Sequence, residues 1–331
     1  MAAVSIRGVT IFYCYATEDE KHLHGLEKQL GSLKRLGKVT TWYDRHIAPG
    51  MEWEHEINAH LDAADIILLL VSPDFMQSDY CYNVEMKRAL ERHKGPDKTE
   101  VIPIIVRPVN WQDTPMGKLQ AWPVRGKPVT LWSNRDEGYQ NAARGITKVV
   151  SAQLARQWKD EGKSYYMIDQ HEDALEAYNE ALRLMPKDVD FELQNAELHR
   201  DKGHALLRLN RFNEALDAYD EAIQCRPADE HFYIHKGHAF LKLQRFKEAL
   251  VTYDKAARVN PSNAYARVHK GYVQLDLQRP TDALAAFEQA LQLNPNIGMA
   301  YIGKGKALDA LGQTSEAQQA YGQARSLGQA I

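Results

Sequence analysis

With 331 residues the chain is long enough for two domains of ordinary size. Hydrophobic residues make up 44% and charged residues 26%, and the mean hydropathy of -0.51 is that of a folded soluble chain, which excludes a membrane class. Lys plus Arg number 41 against 44 Asp plus Glu, so the net charge of -3 provides no global basic field for nucleic acid or an anionic membrane. Cys14, Cys81 and Cys225 form no C-x-x-C pair and read as reduced thiols of a cytoplasmic protein. The opening MAAVSIRGVTIFYCY has no long apolar h-region, and the longest aliphatic run, Ile66–Val71, has six residues. Neither a secretion signal nor a membrane span is expected.

In chain order, short β-branched runs alternate with amphipathic stretches over residues 1–155. The runs predict strands at 9–13, 39–43, 66–71, 101–106 and 129–132. Helices are expected at 19–36, 52–63, 79–93 and 138–158, with a short ill-defined piece near 114–120. Strands this apolar fit a sheet covered on both faces, and right-handed crossovers then give an α/β flavodoxin-like domain with a five-stranded parallel sheet.

Three segments carry more than fold. FYCYATED contains Phe12, Tyr15 and Asp19; WYDRHIAPGMEW contains Asp44, Pro49 and Gly50; ADIILLLVSPDFMQSDYCYNVEMKRAL runs from Ala64 to Leu90. In this order and spacing they resemble the Toll/interleukin receptor (TIR) domain over residues 7–150. The resemblance points to Glu85 as the glutamate of the NAD-cleaving members. Many of those carry tryptophan four residues before it, where this chain has Cys81 beside Tyr80.

From the residues themselves, Glu85 falls on a helix with Cys81 four residues before it and Ala89 four after, an uncharged stripe that would partly desolvate the carboxylate. Spacing alone favours a solvated glutamate paired with Arg88, and it is the resemblance that turns the reading toward catalysis. Cleaving the nicotinamide–ribose bond builds oxocarbenium character on the sugar, which a carboxylate stabilises, and nicotinamide departs neutral without a second acid. Ligands of open α/β sheets bind beyond the strand carboxyl ends. Tyr15, Ala16 and Thr17, with Asp44, Arg45, Ser72 and Arg107, are expected there. Tyr15 suits stacking on a flat ring or a place in the core; Arg45 and Arg107 suit a pyrophosphate or ordinary ion pairs; Ser78 suits a helix cap or a ribose contact. No G-x-G-x-x-G or Walker loop occurs, which removes ordinary dehydrogenases and P-loop enzymes. No H-E-x-x-H or clustered Cys/His pattern is present, so no metal is expected, and Cys14 and Cys81 read as small buried residues and not as nucleophiles, with Cys81 placed by the resemblance among the substrate contacts.

The second half repeats. Gly162, Gly203, Gly237, Gly271 and Gly305 are followed twelve residues later by Ala174, Ala215, Ala249, Ala283 and Ala317. Four residues on stand Tyr178, Tyr219, Tyr253, Phe287 and Tyr321, and then Ala181, Ala222, Ala256, Ala290 and Ala324. Pro186, Pro227, Pro261 and Pro295 close four units, with Gln329 in the fifth. Small residues where helices approach, an aromatic between units and a closing proline predict paired antiparallel helices. The register resembles the tetratricopeptide repeat (TPR): an all-α solenoid over residues 156–331, with units near 156–189, 196–229, 230–263, 264–297 and 298–331. The seven extra residues at 187–193 are a loop or a helix extension.

Arg200, His204 and Arg208 on one first helix, and His238 with Lys242 on the next, predict an electropositive groove for an acidic peptide or a nucleic-acid phosphate, or else a plain solvated face. Lys202, Lys236, Lys270 and Lys304, each just before a repeat glycine, add slightly to that charge or else face solvent. Together the two resemblances imply a bacterial-type TIR–TPR protein: a cytoplasmic enzyme taking NAD+ as substrate, with no separate cofactor, and releasing nicotinamide and a linear or cyclic ADP-ribose product. They also imply self-association through the TIR loop at 45–51, a trigger held by the repeats, and a role in immune defence. The alternative is a non-catalytic adaptor that assembles through TIR–TIR contacts and gathers partners on the repeats.

Overall fold

A computed structural model describes residues 6–47, 51–95 and 99–329. The chain forms two compact units, Met1–Gln157 and Trp158–Ile331. Pro49 and Gly50, quoted above for the TIR resemblance, lie outside the described residues.

The first unit is built on four parallel strands, β1 Val9–Cys14, β2 Val39–Trp42, β3 Ile66–Val71 and β4 Glu100–Ile105, in the order β2-β1-β3-β4. Every residue of β3 is buried, as a strand with paired neighbours and helices on both faces must be. Between the strands run α1 Glu20–Gln29, α2 Gly31–Arg35, α3 Trp53–Ala63, α4 Pro73–Gln77 and α5 Met86–Lys94. The stretch expected as one helix at 79–93 is interrupted: Cys81–Glu85 form a π-helical turn ahead of α5. Such turns are uncommon and concentrate at functional sites.

The fifth strand does not form. Val129–Leu131 is a 3-10 turn, and the outer edge of β4 is met instead by Trp122, whose N–H donates to the Pro103 carbonyl at 2.8 Å and whose carbonyl accepts from the Ile105 N–H at 2.7 Å. Pro123 and Pro128 lack the amide hydrogens that a ladder beyond this single bridge would use. The piece near 114–120 is likewise a 3-10 turn, Pro115–Lys118.

The division between the units falls within α6, Arg135–Met167, longer than the helix expected at 138–158. The second unit continues with α7 His171–Leu184, α8 Glu192–Arg208, α9 Phe212–Cys225, α10 Glu230–Lys242, α11 Phe246–Val259, α12 Ala264–Asp276, α13 Pro280–Leu293, α14 Gly298–Ala310 and α15 Thr314–Ser326. The insertion at 187–193 becomes a 3-10 turn, Val189–Phe191, plus an extension that gives α8 17 residues where α10, α12 and α14 have 13.

The repeat glycines have a steric cause. A Cβ at Gly237 would sit 2.6 Å from the Tyr253 ring, and one at Gly271 would sit 2.7 Å from Phe287. Each aromatic packs against a bare stretch of helix backbone, and Tyr253 and Phe287 are fully buried there. The helix-to-helix turns of the first four units place a non-glycine residue in the left-handed region: Asp169, Asn210, Gln244 and Gln278, with φ of 60°, 59°, 55° and 57°. Only the fifth turn uses glycine, Gly312.

Candidate active site and repeat groove

Because β2 and β3 lie on opposite sides of β1, the connections leaving β1 and β3 diverge and open a crevice at their carboxyl ends. A cavity of about 420 Å³ occupies it. Tyr15, Ala16, Thr17 and Glu18 line it from beyond β1, Asp44 from beyond β2, Trp53 and Ile57 from α3, and Asp74, Gln77, Ser78, Tyr80, Cys81 and Glu85 from the segment after β3.

Glu85 is buried, 6% exposed, at the end of the π-helical turn. Its Oε2 accepts a hydrogen bond from Cys14 Sγ at 2.7 Å. Burial pushes the carboxyl up to about 8, opposed by that hydrogen bond. The pairing with Arg88 that spacing allowed is absent: Arg88 Nε donates to Asp62 Oδ1 and Nη1 to Asn58 Oδ1, each at 2.8 Å. Cys81 is lowered to about 7 by its contact with Cys14, against its own burial. Ser78 Oγ accepts the Cys81 N–H at 3.2 Å and so caps the turn that carries Glu85 while still facing the cavity.

Tyr15 is half-buried with its ring on the cavity, and its hydroxyl donates to Asp44 Oδ1 at 2.6 Å. The two arginines expected here are elsewhere. Arg45 is paired with Glu20, and Arg107 donates through Nε to the fully buried Asp19 at 2.9 Å and also binds Asp74. A buried carboxylate without a cation is costly, so Arg107 is held by Asp19 and is withdrawn from the cavity lining. Trp53 and Tyr80, their ring centroids 4.5 Å apart, form an aromatic wall of the cavity that spacing did not single out. Its signal was the tryptophan closing WYDRHIAPGMEW, which remains 48% exposed. Cys14, passed over as a small core residue, supplies the atom touching Glu85.

In the second unit a cavity of about 530 Å³ brings together His204, Arg208, His238 and Lys242 with Tyr166, His171, Leu207 and Asn210. Arg200 is not among its lining; its guanidinium is bonded to Asp201 at 2.9 and 2.7 Å. The groove is less electropositive than the residue types implied. His204 and His238 are lowered by burial and so are uncharged at neutral pH, and Arg208 is shared with Asp169 at 3.2 Å. Three of the lysines before the repeat glycines are tied to the second helix of the preceding unit, Lys236 to Asp220, Lys270 to Asp254 at 2.7 Å and Lys304 to Glu288 at 2.9 Å. They staple neighbouring units and add no charge to the groove.

Instead the groove carries a ladder of rings. His204 meets His235 edge-on at 4.4 Å and His238 meets His269 at 4.5 Å, while Tyr219 stacks on His235 and Tyr253 on His269. Burial lowers His235 to about 3 and His269 to about 4.

Comparison with known proteins agrees with this division. Residues 11–144 match the TIR domain family, and residues 159–230 and 235–297 match the tetratricopeptide repeat. An uncharacterized protein of Sinorhizobium fredii, y4lF, is 46% identical over 154 residues, which are 44% of this chain and 47% of the relative; the chain thus spans about half the length of the curated relative it matches. Two solved structures of MamA, one of them from Desulfovibrio magneticus, are 20% identical with TM-scores of 0.45; they cover 55% and 53% of this chain and 92% and 94% of theirs, a likeness too distant to bear on function. Among the described residues no helix is long and apolar enough to cross a membrane. The chain is therefore a TIR domain followed by tetratricopeptide repeats.

Proposed function

We propose that the TIR domain cleaves the nicotinamide–ribose bond of NAD+, with Glu85 facing the ribose, and that the repeats receive the partner that governs it. The observation that carries this reading is a single buried carboxyl in a cavity at the sheet's switch point, with aromatic rings around it. As the C–N bond breaks, its electron pair leaves with nicotinamide and positive charge spreads over the ribose. A carboxylate beside the sugar stabilises that charge more than the ground state. The cationic pyridinium of the substrate also favours ionisation of Glu85 against the upward push of burial. Water, or a nucleophile on the adenine, then closes the reaction to linear or cyclic ADP-ribose.

Trp53 and Tyr80 answer the absence of tryptophan at position 81, since they offer a flat apolar wall on the same cavity. Adaptor behaviour without turnover is the competing reading, and Cys81 is the residue that favours it. The deciding experiment follows nicotinamide release from NAD+ by the purified chain over a range of protein concentrations, beside Glu85→Gln. Release reduced at least about 100-fold in the variant is expected. Equal release would discard Glu85 as the catalyst, and none at any concentration would favour the adaptor.

A further inference from the structure

Two thiols and a carboxyl that are remote in sequence converge at the floor of the TIR cavity. The Sγ atoms of Cys14 and Cys81 and a carboxylate oxygen of Glu85 all lie within 4.8 Å of one another. Cys14 is fully buried and Cys81 is 7% exposed. Cys14 is held by the last position of β1, and Cys81 and Glu85 by the first and last positions of the π-helical turn, so the three donors stand on hydrogen-bonded backbone and not on loops.

We propose that Cys14, Cys81 and Glu85 form a site for one thiophilic divalent cation of the zinc class. Thiolate donors select such ions over magnesium or calcium. Metal–sulfur bonds of about 2.3 Å and metal–oxygen bonds of about 2.0–2.2 Å bring tetrahedral donors to about 3.5 Å apart, which this cluster reaches by shifts of roughly an ångström. Each thiol gives its proton to solvent as its sulfur–metal bond forms, and the Glu85 carboxyl likewise gives up its proton to solvent and binds as the carboxylate. Three protein donors leave a fourth position, which faces the cavity that Cys81 and Glu85 line. Resting on the reading of Glu85 given above, the bound ion takes that carboxylate from the ribose and silences the enzyme.

The test uses the full chain, stripped with EDTA under reductant and titrated with zinc against a chromogenic chelator, then with cobalt(II) as a spectroscopic probe. One equivalent is expected, with a thiolate-to-cobalt charge-transfer band. Affinity should fall more than about 100-fold in Cys81→Ser and in Glu85→Gln, which keeps the side-chain shape; circular dichroism confirms that both are folded. No stoichiometric uptake, no thiolate band, or uptake unchanged in both variants overturns the site; the last would move the ion to the repeat histidines. Nicotinamide release is read separately. Release that stops with one equivalent and returns with EDTA supports the inhibitory role, and release indifferent to a bound equivalent overturns it. If the metal-free chain releases none, the catalytic reading fails, and the binding data alone decide the metal site.

Discussion

The two units bury ionisable groups in opposite ways. In the TIR domain the buried carboxyl of Glu85 meets Cys14, a residue of a different element far away in sequence, whereas in the repeats the same edge-on pairing of imidazoles occurs twice, one unit apart. The first arrangement depends on distant segments meeting; the second is repeated between neighbouring units. The proposed function accordingly puts chemistry at a single point in the first unit and an extended recognition surface in the second.

Substitutions should separate the units. Phe287→Ala removes the ring that fills the space over Gly271 and Gly303, and should cost the repeat unit about 4 kcal/mol by denaturant unfolding while leaving ligand binding in the TIR cavity unchanged. Loss of both together would show that the units do not behave independently.

Acid should distinguish them next. His199, His235 and His269 are lowered to about 4, 3 and 4 by burial, so above pH 6.5 they are neutral both folded and unfolded and contribute nothing. Below pH 6.5 the unfolded chain takes up protons that the folded repeats refuse, and stability falls until the folded values are reached. Water in the groove screens part of this, leaving roughly 1 kcal/mol for each histidine by pH 5. Melting of the repeats at pH 5 and 7 measures the loss, and His235→Phe with His269→Phe should reduce it; an unaltered pH profile would remove the ladder as its cause.

A smaller effect is expected at the cavity wall. Trp53→Ala should weaken NAD+ binding about tenfold, by isothermal titration of the Glu85→Gln background, if its ring stacks on the substrate. The smallest change runs toward stability: Gln278→Gly relieves a left-handed residue and should stabilise the repeats by about 0.5 kcal/mol, the relief exceeding glycine's entropic cost.

Much of this was legible beforehand, for definable reasons. A repeat contact such as Gly271 with Phe287 joins residues sixteen apart, so its residue types recur at a period that can be read directly. The apolar runs of β1, β3 and β4 likewise announce strands covered on both sides. The run at 129–132 looked the same but followed Pro123 and Pro128, with Trp122 already on the edge it would have joined.

Residue type and period thus determined the two architectures, because each is specified by neighbours close along the chain. Only the tertiary structure decided which charges were free. Arg107 was claimed by buried Asp19, three repeat lysines by the helices beside them, and the groove histidines lost their charge to burial. It also brought Cys14, Cys81 and Glu85 together and set Trp53 beside Tyr80. Desolvation and pairing depend on what packs around a group in space, and no spacing along the chain carries that information.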